Sequence, residues 1–296
     1  MKWHTIQERY VKRNITLGLS PCPNDTYIFH HLIKEGFAES SATSGTAVNH
    51  ITVNPFFADV EELNRRALNG AELPVTKVSC FAAALASEHY EILPSGGALG
   101  HNCGPLLVSR QKLSSQDELL DRLRCSRILI PGKTTTAHLL LRLFLKEHGI
   151  EHPLIEEALY SDILPSLKRA DADFGLIIHE ERFTYPSYGV DAPVDLGQWW
   201  ESHTGLPIPL GCILVRRDHL DLFDALDRAI CESIDHAKAH LEEAWPFIKS
   251  HAQALEDTAI RSHIDLYVTD YSRNPGEKGK AAFALLREKA AGLVLD

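Results

Sequence analysis

The segment Phe174-Gly175-Leu176-Ile177-Ile178-His179-Glu180-Glu181-Arg182 changes abruptly from apolar to ionisable. Its first five residues suit a buried strand, so His179 falls at the strand's carboxyl end, beside two acids and a guanidinium. An imidazole so placed can accept a proton near neutral pH, which is the work of a general base. The alternative is a core histidine satisfied by its neighbours. The row of charges favours the functional reading, with Glu180 either orienting His179 or pairing with Arg182. A zinc-protease helix is excluded, because H-E-x-x-H needs histidine where Phe183 stands.

Three further segments lie where a strand gives way to a loop or helix. Thr76-Lys77-Val78-Ser79 ends an apolar run. A lysine there must reach water, a carboxylate or an anionic ligand, so Lys77 either anchors a ligand carboxylate or joins a salt bridge. Ser79 either caps the next helix or donates to a ligand. Pro131-Gly132-Lys133-Thr134-Thr135-Thr136-Ala137 is not a phosphate loop, since that motif needs glycine where Arg127 stands. What remains is a helix amino terminus whose N–H groups and dipole suit a carboxylate. An N-cap would use only one of its three threonines. Ser20-Pro21-Cys22-Pro23-Asn24-Asp25-Thr26 is a turn stiffened by two prolines. Asn24, Asp25 or Thr26 can cap the following helix or face a ligand. Cys22 is expected to pack the turn as an inert thiol. Trp199 and Trp200 either stack on an aromatic ligand or fill the core. His30 and His31 diverge by about 100° on a helix, and no combination of His, Cys and acid has metal-ligand spacing.

The elements that must position these segments alternate. Strands at 15–19, 51–54 and 73–78 are followed by helices at 27–34, 60–68 and 79–87, with a small polar loop expected over 38–49. The alternation resumes with a strand at 128–130, helices at 134–148 and 163–170, and a strand at 174–178. Similar extended runs at 104–109 and 209–215 bracket this middle segment, and helices at 220–239, 257–269 and 278–291 close the chain. The pattern predicts an α/β protein with largely parallel sheets. It predicts two lobes joined by two crossing strands, lobe one being 1–104 and 212–296 and lobe two the inserted 105–211. Ligands of such proteins sit between the lobes, near strand carboxyl ends and helix amino ends.

Composition narrows the partners. A chain of 296 residues at 44% hydrophobic content can bury a core in each lobe. A net charge of -10 argues against nucleic acid or an anionic membrane as partner. No window approaches the roughly 18 uninterrupted apolar residues of a membrane span. Residues 1–10 lack a secretory apolar core, so a cytoplasmic location is expected. The six cysteines form no C-x-x-C pair and are expected to be reduced.

Taken together, six motifs resemble the 1,4-dihydroxy-6-naphthoate synthase family, enzymes of the futalosine route to menaquinone. They are Ser-Pro-Cys-Pro-Asn-Asp-Thr at 20–26, Thr-Lys-Val-Ser at 76–79, Ser-Gly-Gly-Ala-Leu-Gly at 95–100, Pro-Gly-Lys-Thr-Thr-Thr-Ala at 131–137, Gly-Leu-Ile-Ile-His-Glu-Glu-Arg-Phe-Thr-Tyr at 175–185 and Gly-Leu-Pro-Ile-Pro-Leu-Gly at 205–211. The resemblance runs from about Ile15 to the last helices; the first dozen residues and the loop at 38–49 look like additions. It implies a fold like the type II periplasmic binding proteins. It also implies fragmentation of cyclic dehypoxanthinyl futalosine to 1,4-dihydroxy-6-naphthoate and dihydroxyacetone, with His179 as proton acceptor. Substrate contacts are implied at Lys77, Val78 and Ser79 and at Thr135, Thr136 and Ala137; Asn24, Asp25 and Arg182 are expected to join them. The expected partner is a small anionic aromatic substrate, with no metal and no redox cofactor, and nothing in the sequence fixes an oligomeric state. Two rivals stand beside this reading: a non-catalytic small-anion-binding protein of the same fold, and a sibling chorismate-dehydrating lyase.

Overall fold

The predicted apolar runs form strands, and most hand over directly to a helix. A computed structural model describes residues 13–40, 48–252 and 256–293. The chain begins β1 (Arg13–Leu19), α1 (Pro23–Glu35), β2 (Phe37–Ser40), β3 (Val48–Phe57), α2 (Val60–Leu68), β4 (Val75–Ser79), α3 (Cys80–Leu85), β5 (Tyr90–Ile92) and β6 (Ala98–Gly100). It continues β7 (Leu106–Ser109), α4 (Gln116–Leu123), β8 (Arg127–Ile130), α5 (Thr136–Glu147), β9 (Leu154–Glu157), α6 (Tyr160–Lys168), β10 (Phe174–Ile177), α7 (Glu181–Thr184), β11 (Asp191–Asp195) and α8 (Leu196–Thr204). It ends β12 (Ile208–Arg216), α9 (Phe223–Ala239), α10 (Leu241–His251), α11 (Asp257–Tyr267), α12 (Asp270–Arg273) and α13 (Gly276–Ala291).

Two sheets organise two lobes. The first has the order β2-β3-β1-β4-β12-β5, with β6 also pairing β12. Here β1 lies parallel to β3 and β4, while β12 runs antiparallel to β4. The second has the order β11-β7-β10-β8-β9, with β8 parallel to β9 and β10 and with β7 antiparallel. All of β12 pairs within the first sheet, so a lobe division at 211/212 would cut a strand. We propose that the first crossing lies near 104/105 and that the second precedes Ile208.

Several expectations need correction. The stretch 38–49 is partly strand: Phe37–Ser40 pairs antiparallel with β3, Phe37 opposite Ile51. Its small polar residues have weak strand propensity, and pairing along β3 decides the matter. Residues 41–47 and the first twelve lie outside the described residues. Helix α1 starts at Pro23, four residues before Tyr27, since proline at the first helical position forgoes an N–H that would be unpaired anyway. Asn24, Asp25 and Thr26 therefore occupy its first turn instead of capping it. The elements with no counterpart in the sequence reading include β9, β11 and α10, besides β5, α4 and α8. Strands β9 and β11 are short, polar edges, and β11 carries Pro193, tolerated at an edge; Pro246 interrupts the pattern of α10.

One apolar cluster is continuous between the sheets, joining Val78, Phe81 and Cys212 to Leu107, Ile128, Phe174 and Trp200. A second packs α1 and α9 against the first sheet through Phe29, Leu17, Ile213 and Ile230. Trp200 is fully buried, its indole N–H donating to Pro207 O at 3.1 Å. Trp199 meets the edge of Phe144. Both tryptophans thus follow the core reading. No helix among the described residues is long and apolar enough to cross a membrane.

Candidate active site

The turn after β1 and the end of β4 meet in a buried ion pair. Lys77 is 5% exposed, and its Nζ donates to Asp25 Oδ1 at 2.7 Å and to Gly96 O at 3.2 Å. The Asp25 carboxylate also accepts from Ser20 N, Ser20 Oγ and Asn24 Nδ2 at 3.2, 2.8 and 2.9 Å. Of the two expectations for Lys77, the salt bridge is the contact formed. Such a pair persists when its hydrogen bonds are this complete, because either ion alone would be buried uncompensated.

The amino end of α5 supplies donors of a different kind. Thr135 is the N-cap: its Oγ1 accepts from His138 N at 3.2 Å and donates to Gly132 O at 2.8 Å. Thr136 Oγ1 donates to Leu210 O at 3.0 Å and accepts from Phe81 N at 3.2 Å. Thr134 donates through N and Oγ1 to the buried Glu61 of α2, at 3.2 and 2.8 Å. All three hydroxyls are thus committed to structure, and Glu61 ties α2 to the loop before α5. The N–H groups of Thr136 and Ala137 have no acceptor among the described residues, as expected for a first helical turn. Ser79 N donates to Asn64 Oδ1 at 2.9 Å and its Oγ accepts from Asn64 Nδ2 at 3.1 Å, which leaves the hydroxyl proton available.

His179 closes the opposite wall. Its φ is +53°, the left-handed region that residues with a Cβ seldom occupy and that clusters at functional sites. Its Nδ1 lies 3.4 Å from Cys22 Sγ, its ring meets Tyr160 edge-on, and it stacks at 6.4 Å on His263 from α11. Burial first, then the electrostatic influence of the nearby His179 and Lys77, holds His263 well below the ordinary histidine pKa. This neutral ring donates Nε2–H to Asn24 Oδ1 at 3.0 Å. Burial, then the charges of Glu180 and Asp25, raise the Cys22 thiol well above its ordinary value. That leaves a protonated thiol, as expected of an unreactive cysteine.

The expectation for Glu180 fails on both counts. Its Oε1 accepts from Tyr160 Oη at 2.9 Å, and Arg182 instead donates to Asp195 Oδ2 at 2.6 Å and Gly104 O at 2.7 Å. Arg182 does not line the cavity. The other nine predicted site residues do: Asn24, Asp25, Lys77, Val78, Ser79, Thr135, Thr136, Ala137 and His179. They line a common cavity of about 80 Å³, smaller than the usual small-molecule site.

A family model described as menaquinone biosynthesis matches residues 15–292. The chain belongs to this menaquinone biosynthesis family. A relative from Thermus thermophilus named "1,4-dihydroxy-6-naphtoate synthase" is 43% identical over 93% of this chain and 93% of its own. One from Streptomyces coelicolor with the same name is 35% identical over 95% and 94%. Protein AF1704 from Archaeoglobus fulgidus superposes with a TM-score of 0.80 at 30% identity, covering 94% of this chain and 97% of that one. The periplasmic aliphatic sulphonate binding protein SsuA from Escherichia coli matches with a TM-score of 0.58 at 12% identity, over 86% and 84%. That likeness shows the fold alone, which is periplasmic-binding-protein-like.

Sequence reasoning missed several walls of this menaquinone biosynthesis family site. Leu210 and Gly211 line it from β12 and Tyr267 from α11, beside Cys103 and Ser20. Leu210 and Gly211 lie in the motif at 205–211, which was legible. Nothing in the amphipathic pattern of α11 marks Tyr267 or His263.

Proposed function

We propose that this member of the menaquinone biosynthesis family is a carbon–carbon lyase that converts cyclic dehypoxanthinyl futalosine to 1,4-dihydroxy-6-naphthoate and dihydroxyacetone. The observation that carries this reading is a strained histidine lining the cavity where the predicted site residues meet, in a chain 43% identical to a protein named for that product.

The charge on the substrate carboxylate falls to the amino end of α5, where the N–H groups of Thr136 and Ala137 and the helix dipole face the cavity. The Ser79 hydroxyl supplies a third donor. Lys77, already neutralised by Asp25, shapes the wall and lends at most one further N–H. The proton acceptor is His179. With Nδ1–H directed at Cys22 Sγ, the lone pair falls on Nε2, which has no partner among the described residues. Removal of one substrate proton starts carbon–carbon cleavage, and formation of the second aromatic ring makes fragmentation downhill. A positioned base supplies about 10²–10⁴ in rate. Contacts that bridge the walls, Cys22 with His179 and Glu61 with Thr134, part to admit the substrate and on closing exclude water.

The test is turnover of purified protein with cyclic dehypoxanthinyl futalosine, the naphthoate being identified by mass. Binding of the substrate without product would favour the small-anion-binding rival, and turnover of chorismate in its place would favour the sibling lyase.

A further inference from the structure

Cys22 and His179 are separated by 157 residues in sequence, which is why spacing alone shows no metal motif. The fold brings them together with Glu180. One ligand atom from each of Cys22, His179 and Glu180 lies within 4.8 Å of the other two. We infer that these three side chains form a binding site for one divalent cation of the zinc class, with a fourth position left for water.

The distances suit such an ion. Zinc bonds of about 2.3 Å to sulfur and 2.0–2.1 Å to nitrogen, at a tetrahedral angle, put the two donors about 3.5 Å apart. Sγ and Nδ1 already stand 3.4 Å apart. Only the Glu180 side chain would need to draw in.

Glu180 gives the second, independent sign. It is 6% exposed, and its Oε2 has no hydrogen-bond partner. A carboxylate oxygen so deeply buried normally has one. Its other oxygen accepts from Tyr160 Oη, the kind of outer hydrogen bond that orients a metal ligand.

The charges fit as well. A thiolate, a carboxylate and a divalent ion sum to zero, so the ion removes a buried net charge. The nearby cations do not compete, because Lys77 is paired with Asp25 and Arg182 with Asp195. Binding exchanges the Cys22 S–H proton, released to water, for a sulfur–metal bond. One sulfur, one imidazole and one carboxylate select zinc or cobalt over magnesium or calcium, which prefer oxygen.

The ion also has a consequence for His179, and this clause rests on the function proposed above. A neutral imidazole bound through Nδ1 carries its remaining proton on Nε2. Neither nitrogen can then accept another, so the cation is an inhibitor and closes the site across the two lobes.

Cobalt(II) is the probe, titrated into the metal-free full chain and followed by absorbance. The expected result is one equivalent bound, with a thiolate-to-cobalt charge-transfer band that added zinc removes. Cys22→Ser should abolish the band and weaken binding at least tenfold, and Glu180→Gln should weaken binding by a similar factor with the band retained. Thermal unfolding of the metal-free variants checks that each is folded; if one is not, the other still decides. Absence of stoichiometric binding, or binding that neither substitution weakens, overturns the site. Turnover measured at saturating zinc separates the two readings: full activity with the ion demonstrably bound leaves the metal site standing and refutes His179 as the base.

Discussion

Replacing Glu181 with Gln should stabilise the protein by an amount that grows with pH. The Glu181 side chain is 7% exposed, and its Oε2 has no partner. Burial, then Glu180 and Asp162, push its pKa up to about 9 from the ordinary 4.5. Arg182, the adjacent cation, offers no relief because it is bound to Asp195. The folded protein therefore keeps this proton over a range in which the unfolded chain has released it. Between pH 4.5 and about 9 the folded state binds one proton more, so stability is complete below the lower value and is lost as pH rises. The slope is about 1.36 kcal/mol per pH unit. At pH 7, about 2.5 units above the unfolded value, the loss reaches about 3 kcal/mol. This figure is independent of the folded pKa so long as that lies above neutrality. Gln has nearly the same shape and cannot ionise, so it escapes the loss. Urea unfolding of both proteins at about pH 5.5, 6.5 and 7.5 should show a gap widening by about 1.4 kcal/mol per unit. Parallel profiles would refute the protonated, desolvated Glu181 argued here.

His179→Asn should lower kcat by roughly 10²-fold or more, since an amide hydrogen-bonds but cannot take the proton. Asparagine tolerates the left-handed backbone at this position, so the unfolding midpoint should stay near wild type; near-normal turnover would return His179 to a core role. Lys77→Met strands a buried Asp25 carboxylate and should cost about 3–5 kcal/mol in unfolding free energy. Adding Asp25→Asn should recover most of that, and a double variant as unstable as the sum of the singles would contradict the pairing. Cys22→Ala should keep turnover within roughly tenfold, because a buried protonated thiol is a poor nucleophile. A folded Cys22→Ala enzyme as inactive as His179→Asn would make the sulfur a reacting group.

What the sequence made legible follows from where chemistry sits in an alternating chain. His179, Lys77 and the threonines before α5 stand at strand ends or helix starts, and those positions converge whatever the details of packing. Partnerships were less visible. Lys77 and Asp25 are 52 positions apart, so an ion pair and a ligand anchor look alike in the sequence. Arg182 looks like a neighbour of His179, but the left-handed turn at His179 and the start of α7 carry its guanidinium to Asp195. His263 and Tyr267 come from a helix whose periodicity signals only burial. The edge strand β11 is stabilised by its pairing with β7, a long-range fact that composition does not record.

The apolar cluster shared by the two sheets couples the lobes, although each also has a core of its own. Val78 and Phe81 beside one sheet belong to the same buried cluster as Leu107 and Phe174 beside the other. Heat or denaturant should therefore meet a single cooperative unit, with one melting transition. A lobe excised at the crossings would keep its own core but expose its share of the common cluster, and would tend to associate with its own kind. The same continuity bounds the swing of the cleft. Any opening that wets this common interior costs free energy, which favours a small parting of the walls.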